Sequence, residues 1–155
     1  MPPRTSTAGE KAKIELLIGI LKLASLMGRP MRDAVSVPAG LSTNELQIFM
    51  ALYGQGPSAG HDLAELMGMN AMNVSRALSA LHAMGLIEPV NNADNRRRKP
   101  YRLSNRGRRA YAALQPDLSE VAEYLFGVLE SREQKDLGRI LETLDARIRD
   151  WQPGS

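Results

Sequence analysis

The fold is decided by residues 70–89, which read NAMNVSRALSALHAMGLIEP. Val74, Leu78 and Leu81 recur at i, i+4 and i+7, the spacing of one buried face of an α-helix. The first two turns of the opposite side carry polar residues, and Met84-Gly85 ends the helical pattern. The sequence therefore predicts an amphipathic helix that begins at Asn70 or Ala71, with a polar face at its N-terminal end.

A β-hairpin is predicted directly after this helix. Residues 86–90 have the composition of a strand, residues 91–95 that of a turn, and residues 98–103 that of the returning strand. Pro100 lacks a backbone N–H and is expected to restrict the second strand to the edge of a sheet. The hairpin is rich in basic residues, namely Arg96, Arg97, Arg98 and Lys99.

Two short helices are predicted upstream of residue 70. Ser42 and Glu45 have the spacing of a capping box, so a helix begins there. Its expected core face consists of Leu46, Phe49, Met50 and Tyr53. Glycine and proline at residues 54–57 end this helix, and Ser58 is expected to cap the next one, which stops at Gly68.

Longer helices are predicted towards both ends of the chain. Residues 1–9 lack periodicity and are expected to be mobile. The first helix covers about residues 10–27, is apolar around more than half of its circumference, and is expected to break at Gly28-Arg29-Pro30. Ser104 is expected to cap a helix over about 105–130 that bends at Pro116, and a capping pattern at Ser131 opens the last helix.

Composition excludes several classes of protein. The 155 residues include 43% hydrophobic and 24% charged residues, which is typical of one ordinary globular domain. Cysteine is absent, which excludes disulfide frameworks, thiolate catalysis and sulfur-based zinc sites, and favours a cytoplasmic location. Glu15 and Lys22 interrupt the longest apolar stretch, residues 14–27, so it predicts neither a membrane span nor a secretion signal.

Charge is distributed unevenly along the chain. Residues 88–115 carry eight basic and two acidic residues, whereas residues 116–155 carry five basic and nine acidic ones, and the net charge is only +3. A local basic cluster beside acidic helices suits a polyanion, because attraction to phosphates dominates affinity for nucleic acids. The alternative is that the basic run is a solvated loop.

The predicted elements follow one another in the order of a winged helix-turn-helix. We therefore expect a mainly α-helical fold with a small β-hairpin wing and an additional helical dimerisation region. From about residue 10 to 150 the sequence resembles the MarR family of bacterial transcription regulators. The matching segments are LSTNELQIFMAL at 41–52, NVSRALSALHAMGLIE at 73–88, RLSNRGRR at 102–109 and LESREQKDLGRILETL at 129–144.

The wing departs from the usual pattern of that family, which has Asp-x-Arg at a fixed distance before Leu-Thr-x-x-Gly. Here the second part is Leu103-Ser104-Asn105-Arg106-Gly107. Counting back from Gly107 places Asn95 and Arg97 at the Asp and Arg positions, while Asp94 and Arg96 are the alternative with one extra wing residue. Pro89 stands where an arginine is common, so that arginine has no counterpart in this chain.

The resemblance implies a DNA-binding repressor that places the helix at 70–84 in the major groove and the wing on the adjacent backbone or minor groove. Arg76 suits a guanine, Asn73 and Asn70 suit an adenine, and Ser75 can reach a phosphate. A narrow minor groove attracts arginine. The full set of expected DNA-binding residues is Ser58, Asn70, Asn73, Ser75, Arg76, Arg96, Arg97, Arg98 and Lys99.

The apolar faces of the first and last two helices exceed what one small domain can enclose, so we expect a homodimer on a pseudo-palindromic operator. The expected organisation is a mobile end (1–9), a dimerisation helix with its connector (10–40), a winged-helix lobe (41–103), dimerisation helices (104–150) and a tail (151–155). The resemblance also implies a small aromatic or anionic effector, with Arg32, Phe49, Tyr53 and Tyr111 as pocket candidates.

The alternative functions are a protein-interaction module and an enzyme. A winged-helix module could instead use the hairpin to bind an acidic protein partner without recognising DNA sequence. An enzyme is not expected, because the motifs assemble no nucleophile and base, no phosphate loop and no metal cluster. No cofactor, metal or membrane is expected as a partner.

Overall fold

A computed structural model of the chain describes residues 7–91 and 98–151. The elements in chain order are α1 (Ala8–Met31), a π-helical turn (Arg32–Ser36), α2 (Thr43–Gln55), α3 (Gly60–Met67), α4 (Ala71–Ala83), β1 (Ile87–Pro89), β2 (Tyr101–Leu103), α5 (Asn105–Phe126) and α6 (Ser131–Arg149). The predicted fold class, mainly helical with a small antiparallel hairpin, is confirmed. Two compact units divide the chain, Met1–Leu118 and Ser119–Ser155. None of the helices in the described residues combines the length and the hydropathy that a membrane-spanning segment needs.

Helix α1 is longer than predicted at both ends. Thr7 caps it, with its hydroxyl accepting from the Glu10 N–H at 3.3 Å, so residues 7–9 belong to the helix rather than to a mobile end. The predicted break at residues 28–30 is wrong, because Pro30 lies inside the helix. Proline removes one backbone donor, yet its fixed φ is compatible with helical backbone. The chain then widens into the π-helical turn, where the Val37 N–H donates to the Arg32 carbonyl at 2.9 Å.

Helices α2, α3 and α4 share one core. The capping box of α2 is confirmed: the Ser42 hydroxyl accepts from the Glu45 N–H at 3.2 Å and the Glu45 carboxylate accepts from the Ser42 N–H at 2.9 Å. The core face of α2 differs from the prediction, since Tyr53 is exposed and Leu52 is buried in its place. The buried side chains of this core include Leu46, Ile48, Phe49, Leu52, Leu63, Val74, Leu78 and Leu81.

Two of the predicted helix caps are displaced by one residue. Ala59, not Ser58, is the N-cap of α3, and no side-chain hydrogen bond caps that helix. Glu130, not Ser131, is the N-cap of α6, and its N–H donates to the Glu133 carboxylate at 2.8 Å. A glutamate at the third helical residue accepts the same bond in a capping box. Ser58 instead takes part in the hairpin.

The hairpin is shorter than predicted and is paired on both sides of its second strand. Leu103 lies opposite Ile87, and Tyr101 lies opposite Pro89. Tyr101 also exchanges two backbone hydrogen bonds with Ser58, each of 2.9 Å. The hairpin is therefore attached to the turn between α2 and α3. The predicted turn at 91–95 lies outside the described residues except for Asn91.

The start of α5 is locked against the hairpin. As predicted, Ser104 caps it, with its hydroxyl accepting from the Gly107 N–H at 3.0 Å and donating to the Gly85 carbonyl at 2.6 Å. A Cβ at Gly107 would collide with the Leu86 carbonyl oxygen, so the helix and the strand approach at a distance that only glycine permits. Helix α5 then continues through Pro116 to Phe126.

Candidate nucleic-acid interface and effector cavity

Helix α4 presents a polar outer face because its inner face is used by the core. Val74, Leu78 and Leu81 are buried. At about 100° per residue, Met72, Arg76 and Ser79 lie on the opposite side, within about 60° of one another. All three are exposed. The centre of the outer face is therefore a row of one apolar, one cationic and one hydroxyl side chain.

Arg76 is available for a ligand. Within residues 7–91 and 98–151, no salt bridge or side-chain hydrogen bond involves its guanidinium. The side chain lies one helical turn beyond Met72 on the exposed face. A guanidinium in this position can donate two parallel hydrogen bonds to a planar acceptor pair.

The other predicted residues of α4 have different surroundings. Asn70 is the N-cap, and its side-chain oxygen accepts from the N–H groups of Met72 at 2.7 Å and Asn73 at 3.4 Å. Only the NH₂ group of Asn70 remains for a ligand. Asn73 and Ser75 are exposed, but Asn73 lies about 100° around the helix from Met72, at the border of the outer face.

The hairpin contributes fewer free cations than the sequence suggests. The Arg98 guanidinium contacts the Asp62 carboxylate of α3 at 2.9 Å, and Arg102 contacts Glu88 on the opposite strand at 2.9 Å. Lys99 is exposed, with a φ of 47° in the left-handed region. Arg96 and Arg97 lie outside the described residues. The Ser58 hydroxyl donates to the Gly56 carbonyl at 3.0 Å, so it holds the α2–α3 turn.

Three of the four predicted pocket residues are brought together as an aromatic cluster. The rings of Tyr53 and Tyr111 stack with centroids 3.8 Å apart, and the edge of Phe49 meets Tyr111 at 5.5 Å. Burial raises the pKa of Tyr111 above its ordinary value, and the neighbouring Tyr53 raises it further. The phenol of Tyr111 therefore remains neutral at physiological pH.

Arg32, the fourth predicted pocket residue, is not part of this cluster. Its guanidinium Nε lies 3.1 Å from the carboxylate of Asp33. It lines neither of the two cavities that adjoin the aromatic cluster.

Two cavities adjoin the aromatic cluster, one lined in part by Phe49 and the other by Tyr53. The first, of about 460 Å³, is lined mainly by apolar side chains, with Phe49, Arg106 and Asp117 among its residues. The second, of about 400 Å³, is lined by Leu52, Tyr53, Gly56, Pro57, Arg102, Leu103 and Arg108. The two charged residues of the first cavity, Arg106 and Asp117, have opposite signs. The lining of the second cavity contains two arginines and no carboxylate. Of these two arginines, Arg102 is paired with Glu88, so Arg108 is the cation that an anion in the second cavity would meet unpaired.

The sequence analysis did not name Met72, which lies on the outer face of α4, or Arg102 and Arg108, which line the second cavity. A helical wheel of residues 70–84 would have placed Met72 at the centre of the exposed face, directly opposite the buried residues. For the arginines there was no local signal, because their cavity forms only when β2 and α5 meet α2. In the described part of the chain, no group of three or more histidines and carboxylates is placed to hold a metal ion.

Comparison with known proteins agrees with this geometry. A family model, described as the MarR family, matches residues 39–98. A probable transcriptional regulator from Pseudomonas aeruginosa is similar in structure, with 25% identity and a TM-score of 0.66, over 81% of this chain and 93% of that one. A MarR-family regulator from Silicibacter pomeroyi has 21% identity and a TM-score of 0.72, over 86% of this chain and 89% of that one.

A third similar structure is that of NadR in complex with 4-hydroxyphenylacetate. It has 18% identity and a TM-score of 0.76, over 98% of this chain and 100% of that one. Among proteins of curated function, none matches the sequence. The matched segment, residues 39–98, contains α2, α3, α4 and β1, the elements that form the outer face of α4 and support it. The winged-helix segment of this chain therefore matches the MarR family model, and its fold is similar to that of known transcription regulators.

Proposed function

We propose that this protein is a ligand-responsive repressor that binds a pseudo-palindromic DNA operator as a homodimer. Helix α4 enters the major groove, and the arginine-rich wing contacts the adjacent backbone or minor groove. The observation that carries the proposal is Arg76, an exposed guanidinium at the centre of the outer face of α4 with no partner among the described residues. Arginine paired with the O6 and N7 atoms of guanine is the commonest specific contact in the major groove.

The two parts of the interface contribute differently. Arg76 and Asn73 on α4 reach base edges and determine which sequence is bound. Ser75, the NH₂ group of Asn70 and the cations of the wing contact phosphates, which adds affinity without sequence preference. Arg98 contributes least of the wing residues, because Asp62 competes with phosphate for its guanidinium.

A second copy of the chain covers the apolar faces of α1 and α6. Neither helix has a buried residue, although α1 carries Ile14, Leu17, Ile18 and Leu21, and α6 carries Ile140, Leu141, Leu144 and Ile148. A twofold dimer buries such faces against their own copies. It also presents two α4 helices to half-sites about 34–36 Å apart. The division into a winged-helix lobe (41–103) between dimerisation segments (10–40 and 104–150) is part of this proposal.

The effector is an aromatic acid held in the cavity of Tyr53, Arg102 and Arg108. The ring of Tyr53, backed by Tyr111, provides an aromatic wall, and the two arginines provide partners for a carboxylate. NadR, which shares the fold, is known in complex with 4-hydroxyphenylacetate, a compound of this class.

The effector changes the contacts of the wing through Arg102. This residue is bound to Glu88 across the hairpin at 2.9 Å, so a carboxylate that recruits Arg102 releases Glu88. A ligand changes DNA affinity only when it binds two conformations unequally. Competition between the effector and Glu88 supplies such a difference at the base of the wing.

Selection of binding sites from random DNA tests the proposal. We expect an inverted repeat and a binding constant that falls with salt by about 0.9 log units per neutralised phosphate for each tenfold increase. Arg76→Ala should cost about 1–3 kcal/mol on the selected operator and relax preference at one base pair per half-site. Arg132→Ala, an exposed arginine of α6, is the matched control and should leave binding unchanged.

Failure of the selection would instead favour an acidic protein partner for the hairpin, a function that predicts no inverted repeat and no effect of Arg76→Ala. The effector is tested separately by titrating 4-hydroxyphenylacetate and benzoate against the operator complex. Arg108→Ala should abolish release of DNA without weakening DNA binding. Arg109→Ala removes an adjacent exposed arginine that does not line the cavity, so release should persist.

A further inference from the structure

Met72 is an unusual residue for its position. In the described part of the winged-helix segment, residues 41–91 and 98–103, the large apolar side chains that are exposed are Tyr53 and Met72, at 53% and 60%. Tyr53 is stacked on Tyr111 and lines the second cavity. Met72 has no comparable role in the fold, since it lies on the side of α4 that faces away from the core.

The backbone at Met72 is held firmly. Its N–H donates to the side-chain oxygen of the cap residue Asn70 at 2.7 Å, which fixes the second residue of α4. Arg76 lies four residues further, about 6 Å along the helix axis and about 40° around it. The thioether and the guanidinium therefore project side by side from the outer face.

The chemistry of a methionine at this point differs from that of its neighbours. Arg76, Asn73 and Ser75 offer hydrogen bonds, whereas the terminal methyl and sulfur of Met72 offer an apolar contact. In the major groove, the apolar feature of the standard base pairs is the C5-methyl group of thymine. Contact between the two methyl groups removes apolar surface from water on both sides, which is favourable.

We infer that Met72 contacts the C5-methyl group of a thymine in each half-site and so reads thymine at that position. The inference rests on the proposed function, because it requires α4 to lie in the major groove. About 6 Å between the two residues along the helix corresponds to about two base-pair steps of 3.4 Å. The thymine therefore lies within two base pairs of the guanine that Arg76 contacts.

Deoxyuridine substitution tests the contact, because uracil differs from thymine only by this methyl group. Each thymine of the selected operator is replaced in turn by deoxyuridine, symmetrically in both half-sites. Binding is then measured with the unsubstituted full-length protein and with Met72→Ala. At one position we expect deoxyuridine to weaken the full chain about fourfold per half-site, the equivalent of one buried methyl. Met72→Ala should bind the thymine and deoxyuridine operators equally at that position.

Two further variants make the result specific. Met72→Leu keeps an apolar side chain of similar size and should retain the preference for thymine, which separates the contact from a structural role of methionine. Ser79→Ala, on the same exposed row, should retain it as well. Met72→Ala should have the helix content of the full chain, since the side chain is exposed.

The outcomes are distinguishable. If Met72→Ala retains the same ratio of thymine to deoxyuridine affinity at every position while still binding the operator, the inference is wrong and the proposed function stands. If Met72→Leu loses the preference as Met72→Ala does, an apolar contact is not its cause and the inference is equally wrong. If the unsubstituted chain selects no operator at all, both the proposed function and the inference fail.

Discussion

The winged-helix segment and the two terminal helices α1 and α6 use apolar residues in opposite ways. In α2, α3 and α4 the large aliphatic side chains are almost all buried within one chain. In α1 and in α6 none is buried, and Leu21, for example, is 60% exposed. The first region thus buries its apolar side chains within one chain, whereas those of α1 and α6 are exposed. We propose that a second copy of the chain covers these faces.

The largest expected effect comes from placing a charge on the apolar face of α1. Leu21→Glu removes a buried leucine from the proposed dimer interface, and burial of a leucine contributes about 1.5–3 kcal/mol. Because the dimer is twofold symmetric, the substitution occurs twice in the interface. We expect the dissociation constant of the dimer to rise at least about 100-fold. Sedimentation over a concentration series measures it.

Lys22→Gln is the matched control for this variant, because it changes the charge of the neighbouring residue by the same amount. It should remain dimeric. Both variants should keep the helical circular dichroism of the unsubstituted protein, since Leu21 contributes nothing to the core of the winged-helix segment. A Leu21→Glu protein as dimeric as Lys22→Gln would show that this face of α1 is not covered by a second copy.

Two helical glycines, Gly107 of α5 and Gly138 of α6, differ in the space around them. Gly107→Ala forces a Cβ onto the Leu86 carbonyl, and we expect it to lower the free energy of unfolding by about 2–3 kcal/mol. Gly138 of α6 has nothing within 4 Å of such a Cβ. Gly138→Ala should therefore raise the free energy of unfolding by about 0.5–1 kcal/mol, the helix preference of alanine over glycine. Urea unfolding of both variants checks the opposite signs.

The winged-helix segment was well predicted because its signals are local. The capping box of Ser42 and Glu45, the stop at Gly68 and the apolar spacing of Val74, Leu78 and Leu81 each lie within a few residues. Each of these predictions is confirmed. The predicted break at residues 28–30 is wrong because the helical turns on either side continue the backbone through Pro30.

The site was less predictable because its contacts join distant residues. Arg98 meets Asp62, 36 residues earlier in the chain, and the sequence gives no local indication that this cation is already paired. Tyr101 pairs with Ser58 in the same way, which is why Ser58 is a partner of the hairpin and not a cap. Arg102 and Arg108 share a cavity for the same reason. Long-range pairing of this kind depends on the fold, whereas periodicity depends on neighbours.

A smaller effect is expected from two serines at helix starts. Ser104 caps α5 and ties it to Gly85 by a second hydrogen bond of 2.6 Å, so Ser104→Ala should lower the free energy of unfolding by about 1–2 kcal/mol. In α6 the cap is Glu130, so Ser131→Ala should change it by less than about 0.5 kcal/mol. Equal losses from the two substitutions would contradict the assignment of the caps.

The smallest expected effect is a pH dependence of stability that arises from Tyr111, buried in the N-terminal half of α5. The pKa of Tyr111 is raised in the folded protein by burial and then by Tyr53, so the unfolded chain loses this proton first as the pH rises through about 10. Above that pH the unfolded state binds fewer protons, and the free energy of unfolding falls.

Tyr111→Phe should remove this part of the fall, so that the free energy of unfolding decreases less steeply between pH 9 and pH 11, by about the contribution of one tyrosine. Urea unfolding at a series of pH values measures the slopes of the unsubstituted protein and of Tyr111→Phe. Equal slopes would mean that burial and the contact with Tyr53 do not change the ionisation of Tyr111 on folding.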